Sequence, residues 1–113
     1  MKAIRGAVVV SANTAAAIES ATRELLEEIG RRNELTPSDV ISLFFTLTDD
    51  LDADFPARAA RLAGWDVPML DMREVAVPGS LPQCLRVLMH VDRGGPVQHV
   101  YLGQAGRLRP DLA

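Results

Sequence analysis

Hydrophobic and polar positions along this chain follow two periods, and the switches between them mark out its elements. Residues 2–10 (Lys-Ala-Ile-Arg-Gly-Ala-Val-Val-Val) are rich in β-branched side chains and predict a first strand. Ser11, Asn13 and Thr14 then offer oxygen acceptors for a helix start. Over residues 14–32, Ile18, Ala21, Leu25 and Ile29 recur at helical spacing, while Glu19, Arg23, Glu27 and Glu28 fall outside that stripe. This is the pattern of an amphipathic helix. Thr36-Pro37-Ser38-Asp39 has the form of a capped turn started by proline. Residues 40–48 are mostly apolar, with β-branched and aromatic members, and predict a buried strand.

An acidic loop follows at residues 49–54. Phe55-Pro56 then opens a short helix to about Leu62, and Gly64 lies just past its end. Residues 67–77 read as a strand, though Pro68 and polar residues interrupt it, and Pro78-Gly79 marks a turn. Residues 85–91 predict another strand. Arg93-Gly94-Gly95-Pro96 should turn it, with residues 97–102 returning as the next strand. The order is strand, long helix, strand, short helix, then a strand-rich half. That predicts an α+β fold with a mixed sheet, in one domain covering residues 1–113.

Composition narrows the function classes. A chain of 113 residues and 12.3 kDa can bury roughly 65% of its unfolded surface, enough for a core. No apolar run reaches the ~18 residues of a membrane span, and no basic segment followed by an apolar one opens the chain. A cytoplasmic protein without membrane contact is expected. Cys84 is the single cysteine, which leaves no intrachain disulfide and no multi-cysteine metal site. The net charge of −3 disfavours nucleic acid as a partner. Of the 12 basic residues only Lys2 is a lysine; the rest are arginines. GC-rich coding can account for their number but not for their positions.

Those positions suggest a ligand. In the strand at 85–91, Leu85, Val87, Met89 and Val91 share one face, and Arg86, Leu88 and His90 the other. An arginine in mid-strand either leaves into solvent or meets an anion. Arg5 poses the same question on the first strand, and Tyr101 lies in the last. Arg58 and Arg61 sit at i and i+3 of the short helix, and Arg109 follows near the end. Each alone reads as a solvated charge. Together they fit a small ligand with several negative charges, since guanidinium grips carboxylate with two prongs. Glu74 lies in a mostly apolar segment and reads by itself as an exposed carboxylate. Cys84 has no neighbouring His or Lys to activate it and reads as core packing. His90 and His99 lack a nucleophile motif, Gly94-Gly95-Pro96 is no phosphate loop, and Trp65 is expected to pack at the end of the short helix.

With these residues in place, the chain resembles the monofunctional chorismate mutases of the trimeric α/β type known from Bacillus. The resemblance rests on Ile4-Arg5-Gly6-Ala7, Phe55-Pro56-Ala57-Arg58-Ala59-Ala60-Arg61, Gly64-Trp65, Glu74, Cys84-Leu85-Arg86-Val87, His99-Val100-Tyr101-Leu102 and Leu108-Arg109-Pro110-Asp111-Leu112, in order and spacing over nearly the whole chain. It implies a homotrimer built around a pseudo-α/β barrel, with sites in clefts between subunits. It implies rearrangement of chorismate to prephenate, on the route to phenylalanine and tyrosine, with no cofactor or metal. By the same resemblance Arg5 and Tyr101 hold a carboxylate. Arg86 bridges the ether oxygen and a carboxylate, and Glu74 meets the ring hydroxyl. Leu70, Asp71, Met72 and Arg73 border that hydroxyl, Phe55, Ala57 and Leu108 line the wall, and Arg58, Arg61 and Arg109 supply charge at the entrance. Arg5, Glu74 and Arg86 form the catalytic set.

This sequence departs from the family at several points. Arg58 stands where lysine is usual, which keeps the charge. Asp71 stands where cysteine is familiar and puts a carboxylate near a dianion. The turn at 93–97 is short, and the chain stops at Ala113 without the tail thought to cover the site, so weaker substrate capture is expected. Trimeric small-molecule-binding proteins and RidA-like imine deaminases of similar fold also use an interface arginine. Glu74 and Arg86 with Tyr101 argue against that class, and a catalytically inactive interaction module is the third. Turnover of chorismate separates them.

Overall fold

A computed structural model describes residues 1–112; Ala113, the last residue of the expected domain, lies outside them. The elements are β1 (Lys2–Val9), α1 (Ala15–Asn33), β2 (Val40–Leu47), α2 (Pro56–Leu62), β3 (Met69–Arg73), β4 (Cys84–Val91) and β5 (Val100–Tyr101). Short 3₁₀ turns cover Pro37–Asp39 and Gly103–Leu108. The five strands form one mixed sheet in the order β3-β2-β4-β1-β5. β4 runs antiparallel to both β1 and β2, while β3 and β5 lie parallel to β2 and β1. The α+β class and mixed sheet agree with the sequence.

Helix α1 starts at Thr14, whose side-chain oxygen accepts the Ala17 N–H at 3.1 Å. It ends where Glu34 turns left-handed (φ 52°), with Arg31 and Arg32 favourably placed in the last turn. Ile18, Leu25, Leu26 and Ile29 are fully buried against the sheet. Gly6 permits this closeness. A Cβ there would stand 2.9 Å from Ile29 Cδ1 and 3.2 Å from the Val100 carbonyl. Trp65 packs into the same core beside Gly30, as the sequence suggested.

Two strand expectations are corrected. Of residues 67–77 only Met69–Arg73 is strand. Glu74 N–H still bonds to Leu47 O at 2.8 Å, but β2 ends there, so residues 75–77 have no partner. Residues 97–102 do not fold back on β4, because β1 and β2 already occupy both of its edges. The chain instead crosses to the far edge of β1, where only Val100–Tyr101 pairs. Asn33, buried at the end of α1, steers the crossing. It accepts the Gln98 N–H at 2.7 Å, and its Nδ2 donates to Gln98 O at 2.9 Å.

Strand alternation places Ile4, Leu43, Phe45, Leu85, Val87 and Met89 on the helix-covered side. The opposite side is largely open. Its register aligns Met72, Thr46, Arg86, Ala7 and Tyr101 in one row across all five strands. A second row holds Leu70, Phe44, Leu88 and Arg5. At one end the turn Gly103–Leu108 folds over this side, and Ala105 packs on Ala7 and Cys84. Burial pushes the Cys84 thiol above its ordinary value, with nearby Arg86 opposing more weakly, which fits a packing role.

Candidate active site

A cleft of about 410 Å³ opens on the uncovered side of the sheet. Arg5 enters it from β1, Arg86 from β4, Tyr101 from β5 and Arg109 from the segment after the last turn. Glu74 enters from just beyond β3, where its backbone bond to Leu47 fixes it. Met72 and Leu108 complete the part expected from the sequence. Three arginines facing one carboxylate make the cleft cationic in an acidic protein.

Its centre is an ion pair. Arg86 Nε lies 3.1 Å from Glu74 Oε2, which also accepts the Thr46 hydroxyl at 2.7 Å. The Arg86–Glu74 contact is ionic and poorly aligned. Nε is shut off from solvent, and its N–H has no aligned acceptor among the described residues. Native proteins rarely leave a buried donor in that state without a reason. Arg109 is engaged by Asp111 through both carboxylate oxygens, at 3.0 and 2.8 Å. Those bonds, with help from the charge of Arg5, hold the Asp111 carboxyl below its usual range. The Arg5 backbone N–H donates to His99 Nδ1 at 3.0 Å. Burial lowers the His99 pKa, and the charges of Arg5 and Arg109 add to the effect.

The other expected residues lie apart from this cleft within the chain. Phe55, 66% exposed, joins Asp71 and Arg73 around a second hollow at the β3 edge, and Met72 lines both. Ala57 is partly buried on α2, and its N–H donates to Asp71 Oδ1 at 3.0 Å. Burial raises the Asp71 carboxyl, the Ala57 N–H opposes that, and the Asp54 charge adds to it. Arg58 pairs with Asp54 at 3.2 Å, and Arg61 is exposed. Arg73 donates to the carbonyls of Thr48 and Leu51 at 2.8 and 3.0 Å, bracing the acidic loop. Leu70 stands 57% exposed on the open face.

Phe44 and Thr46 line the cleft and were not among the residues singled out from the sequence. Alternation in β2 could have found them, since they fall opposite Leu43, Phe45 and Leu47. A threonine in a strand, however, reads first as a β-former. Nor did the sequence point to the bond between His99 and Arg5.

Comparison with known proteins bears on what such a cleft does. The family chorismate mutase type I matches residues 1–112. Chorismate mutase AroH of Thermus thermophilus is 47% identical over 99% of this chain and 96% of its own length. The protein of the same name from Bacillus subtilis (strain 168) is 42% identical over 100% and 93%. Among solved structures, a chorismate mutase from Clostridium thermocellum superposes with a TM-score of 0.91 at 48% identity, covering 95% of this chain and 99% of that one. Nothing in these relationships favours a deaminase or an inactive module. With the family, the fold and the cationic cleft in agreement along the whole described length, this chain belongs to the type I chorismate mutases.

Proposed function

We propose that the cleft binds chorismate as a dianion and holds it for rearrangement to prephenate, at sites completed between the subunits of a homotrimer. The reaction is unimolecular. One ether C–O bond breaks as one C–C bond forms, electrons shift around a six-membered ring, and no proton leaves. The protein has to supply a compact conformer and charge at the breaking bond. Arg5 and Tyr101 take one carboxylate. Arg86 takes the ether oxygen as negative charge grows there, together with a carboxylate, and Glu74 takes the ring hydroxyl. Leu108 and Met72 wall the substrate, and Arg109 guards the entrance. The observation that carries this is the buried Arg86 Nε–H, held beside Glu74 yet without an aligned acceptor.

Phe55, Ala57, Arg58, Arg61, Leu70, Asp71 and Arg73 serve the same chemistry from a neighbouring copy. Phe55, Asp71 and Arg73 border a hollow at the β3 edge, while the cleft runs across the open face from Met72 of β3 to Tyr101 of β5. Joining unlike surfaces of successive copies is a heterologous contact, and it closes a ring when the rotation is a third of a turn. A cytoplasmic location belongs to the same reading; among the described residues no helix is long and apolar enough to cross a membrane. The test is loss of chorismate absorbance with purified protein in EDTA, alongside light scattering. Turnover without additive and a trimeric mass are expected. Absence of turnover refutes the function, and a monomeric mass with full activity refutes the shared site.

A further inference from the structure

Strand β5 begins one step too late to finish its ladder with β1. Leu102 N–H bonds to Ala7 O at 2.9 Å, so the odd-numbered residues of β1 address β5. Two residues earlier, Arg5 N–H faces the position where a parallel ladder would offer the Gln98 carbonyl. That carbonyl accepts Asn33 Nδ2 instead, at 2.9 Å. The imidazole of His99 takes its place, with Nδ1 3.0 Å from Arg5 N. One side-chain bond therefore fastens the strand that carries Arg5 to the strand that carries Tyr101.

We infer that His99 is a positioning residue for the reaction: its Nδ1 lone pair fixes where β1 presents Arg5 to the substrate, and protonation of the ring releases it. This rests on Arg5 being a carboxylate ligand. Only a neutral imidazole with its proton on Nε2 can accept at Nδ1; the cation donates from both nitrogens. Protonation would set N–H against N–H and add a third positive charge to a cationic corner. The ionisable groups around it are the Arg5 guanidinium from β1, Arg109 with its partner Asp111 from the C-terminal segment, and Tyr101 two residues along β5. Burial and the two arginines lower its pKa below the ordinary 6.5, so the bond holds at neutral pH and fails in acid.

The test compares wild type, His99→Asn and His99→Ala, measuring kcat and KM for chorismate between about pH 5 and 8. Asparagine can place Oδ1 where Nδ1 stands, and it does not titrate. His99→Ala should raise KM by about three- to tenfold with a smaller change in kcat. His99→Asn should recover most of that loss. Wild type should show an acid limb in kcat/KM that His99→Asn lacks. An acid limb unchanged in His99→Asn overturns the proposal, as does a wild-type KM in a folded His99→Ala. Arg5→Ala separates the two levels. If it leaves KM unchanged, Arg5 is no ligand and both readings fall. If it raises KM while His99→Ala does not, the role of His99 alone falls. Melting temperatures of all variants show whether each is folded.

Discussion

Replacing Arg86 by lysine keeps the charge and removes the fork. In the native cleft Nε lies 3.1 Å from Glu74 Oε2 without an aligned bond to it, and in the proposed site the N–H groups of the guanidinium face the substrate. A lysine has one shorter ammonium head, and Glu74, held by Thr46 at 2.7 Å, competes for it. In the proposed mechanism the ether oxygen then loses its donor when its negative charge is greatest. A preorganised donor of that kind contributes about 2.7–4 kcal/mol, or roughly 10²–10³ in kcat. The carboxylate contact exists in the ground state as well, so its loss appears mainly in KM. A charge-assisted bond of about 1.5–3 kcal/mol gives roughly a ten- to hundredfold rise there. Stability should hardly move, because the Arg86 side chain is 41% exposed and its pair with Glu74 sits at the cleft surface. The assay is initial-rate loss of chorismate absorbance, with a thermal melt and a mass measurement on the same sample. Arg86→Ala should be slower still. Wild-type kcat in Arg86→Lys refutes the electrostatic role, and a fall in kcat matched by a collapsed melting temperature refutes the attribution to chemistry.

Three further outcomes follow from the geometry. Thr46→Val removes the hydroxyl that holds Glu74 and frees the carboxylate to align with Arg86 Nε; kcat should fall about tenfold with the fold intact, and unchanged kinetics would make Thr46 merely structural. Asp71→Asn keeps an oxygen for the Ala57 N–H and removes a carboxylate whose folded pKa lies above 3.8. The favourable contribution of native Asp71 is complete below 3.8 and is lost as pH rises through its folded value. The variant should therefore melt higher at neutral pH, with that advantage vanishing in acid, and its KM should drop; an equal or lower melting point at neutral pH contradicts this. Gly6→Ala drives a methyl toward Ile29 Cδ1 and the Val100 carbonyl and should cost about 1–3 kcal/mol by chemical denaturation, whereas a neutral result would mean that α1 and β5 can yield.

Where the sequence was legible, the cause was local. Ile18, Leu25 and Ile29 betray α1 through a period that depends on neighbouring residues alone, and Pro56 opens α2 with no outside information. The alternation that isolates Arg86 from Leu85 and Val87 likewise belongs to β4 itself. The illegible parts depended on distant chain. Residues 75–77 are no strand because β2 has ended, and residues 97–99 are no strand because both edges of β4 are filled and Asn33 holds the backbone groups of Gln98 that would face β1. The residues expected at the site were picked out by type, and the structure gathers part of them in one cleft. Their division was harder to see: Arg5, Glu74, Arg86, Tyr101 and Arg109 share one cleft, while Phe55 and Asp71 lie at another edge with Met72 between them. Spacing along a chain does not say which sheet edge faces outward.

The fastening of β1 to β5 joins Arg5 to His99 across 94 positions of chain. Synthesis makes Arg5 94 positions ahead of His99, and Tyr101 and Arg109 come later still. Helix α1 can form early on contacts close in sequence, but the corner where Arg5, His99 and Tyr101 meet waits for β1 and β5 to pair. Closing so long a loop is costly in chain entropy, and that cost is met late in folding. A polypeptide interrupted before residue 99 would retain the parts of α1, β2 and β4 yet lack this corner altogether. Under the carboxylate-binding roles proposed for Arg5 and Tyr101, substrate binding at this corner thus comes only after β5 has paired with β1.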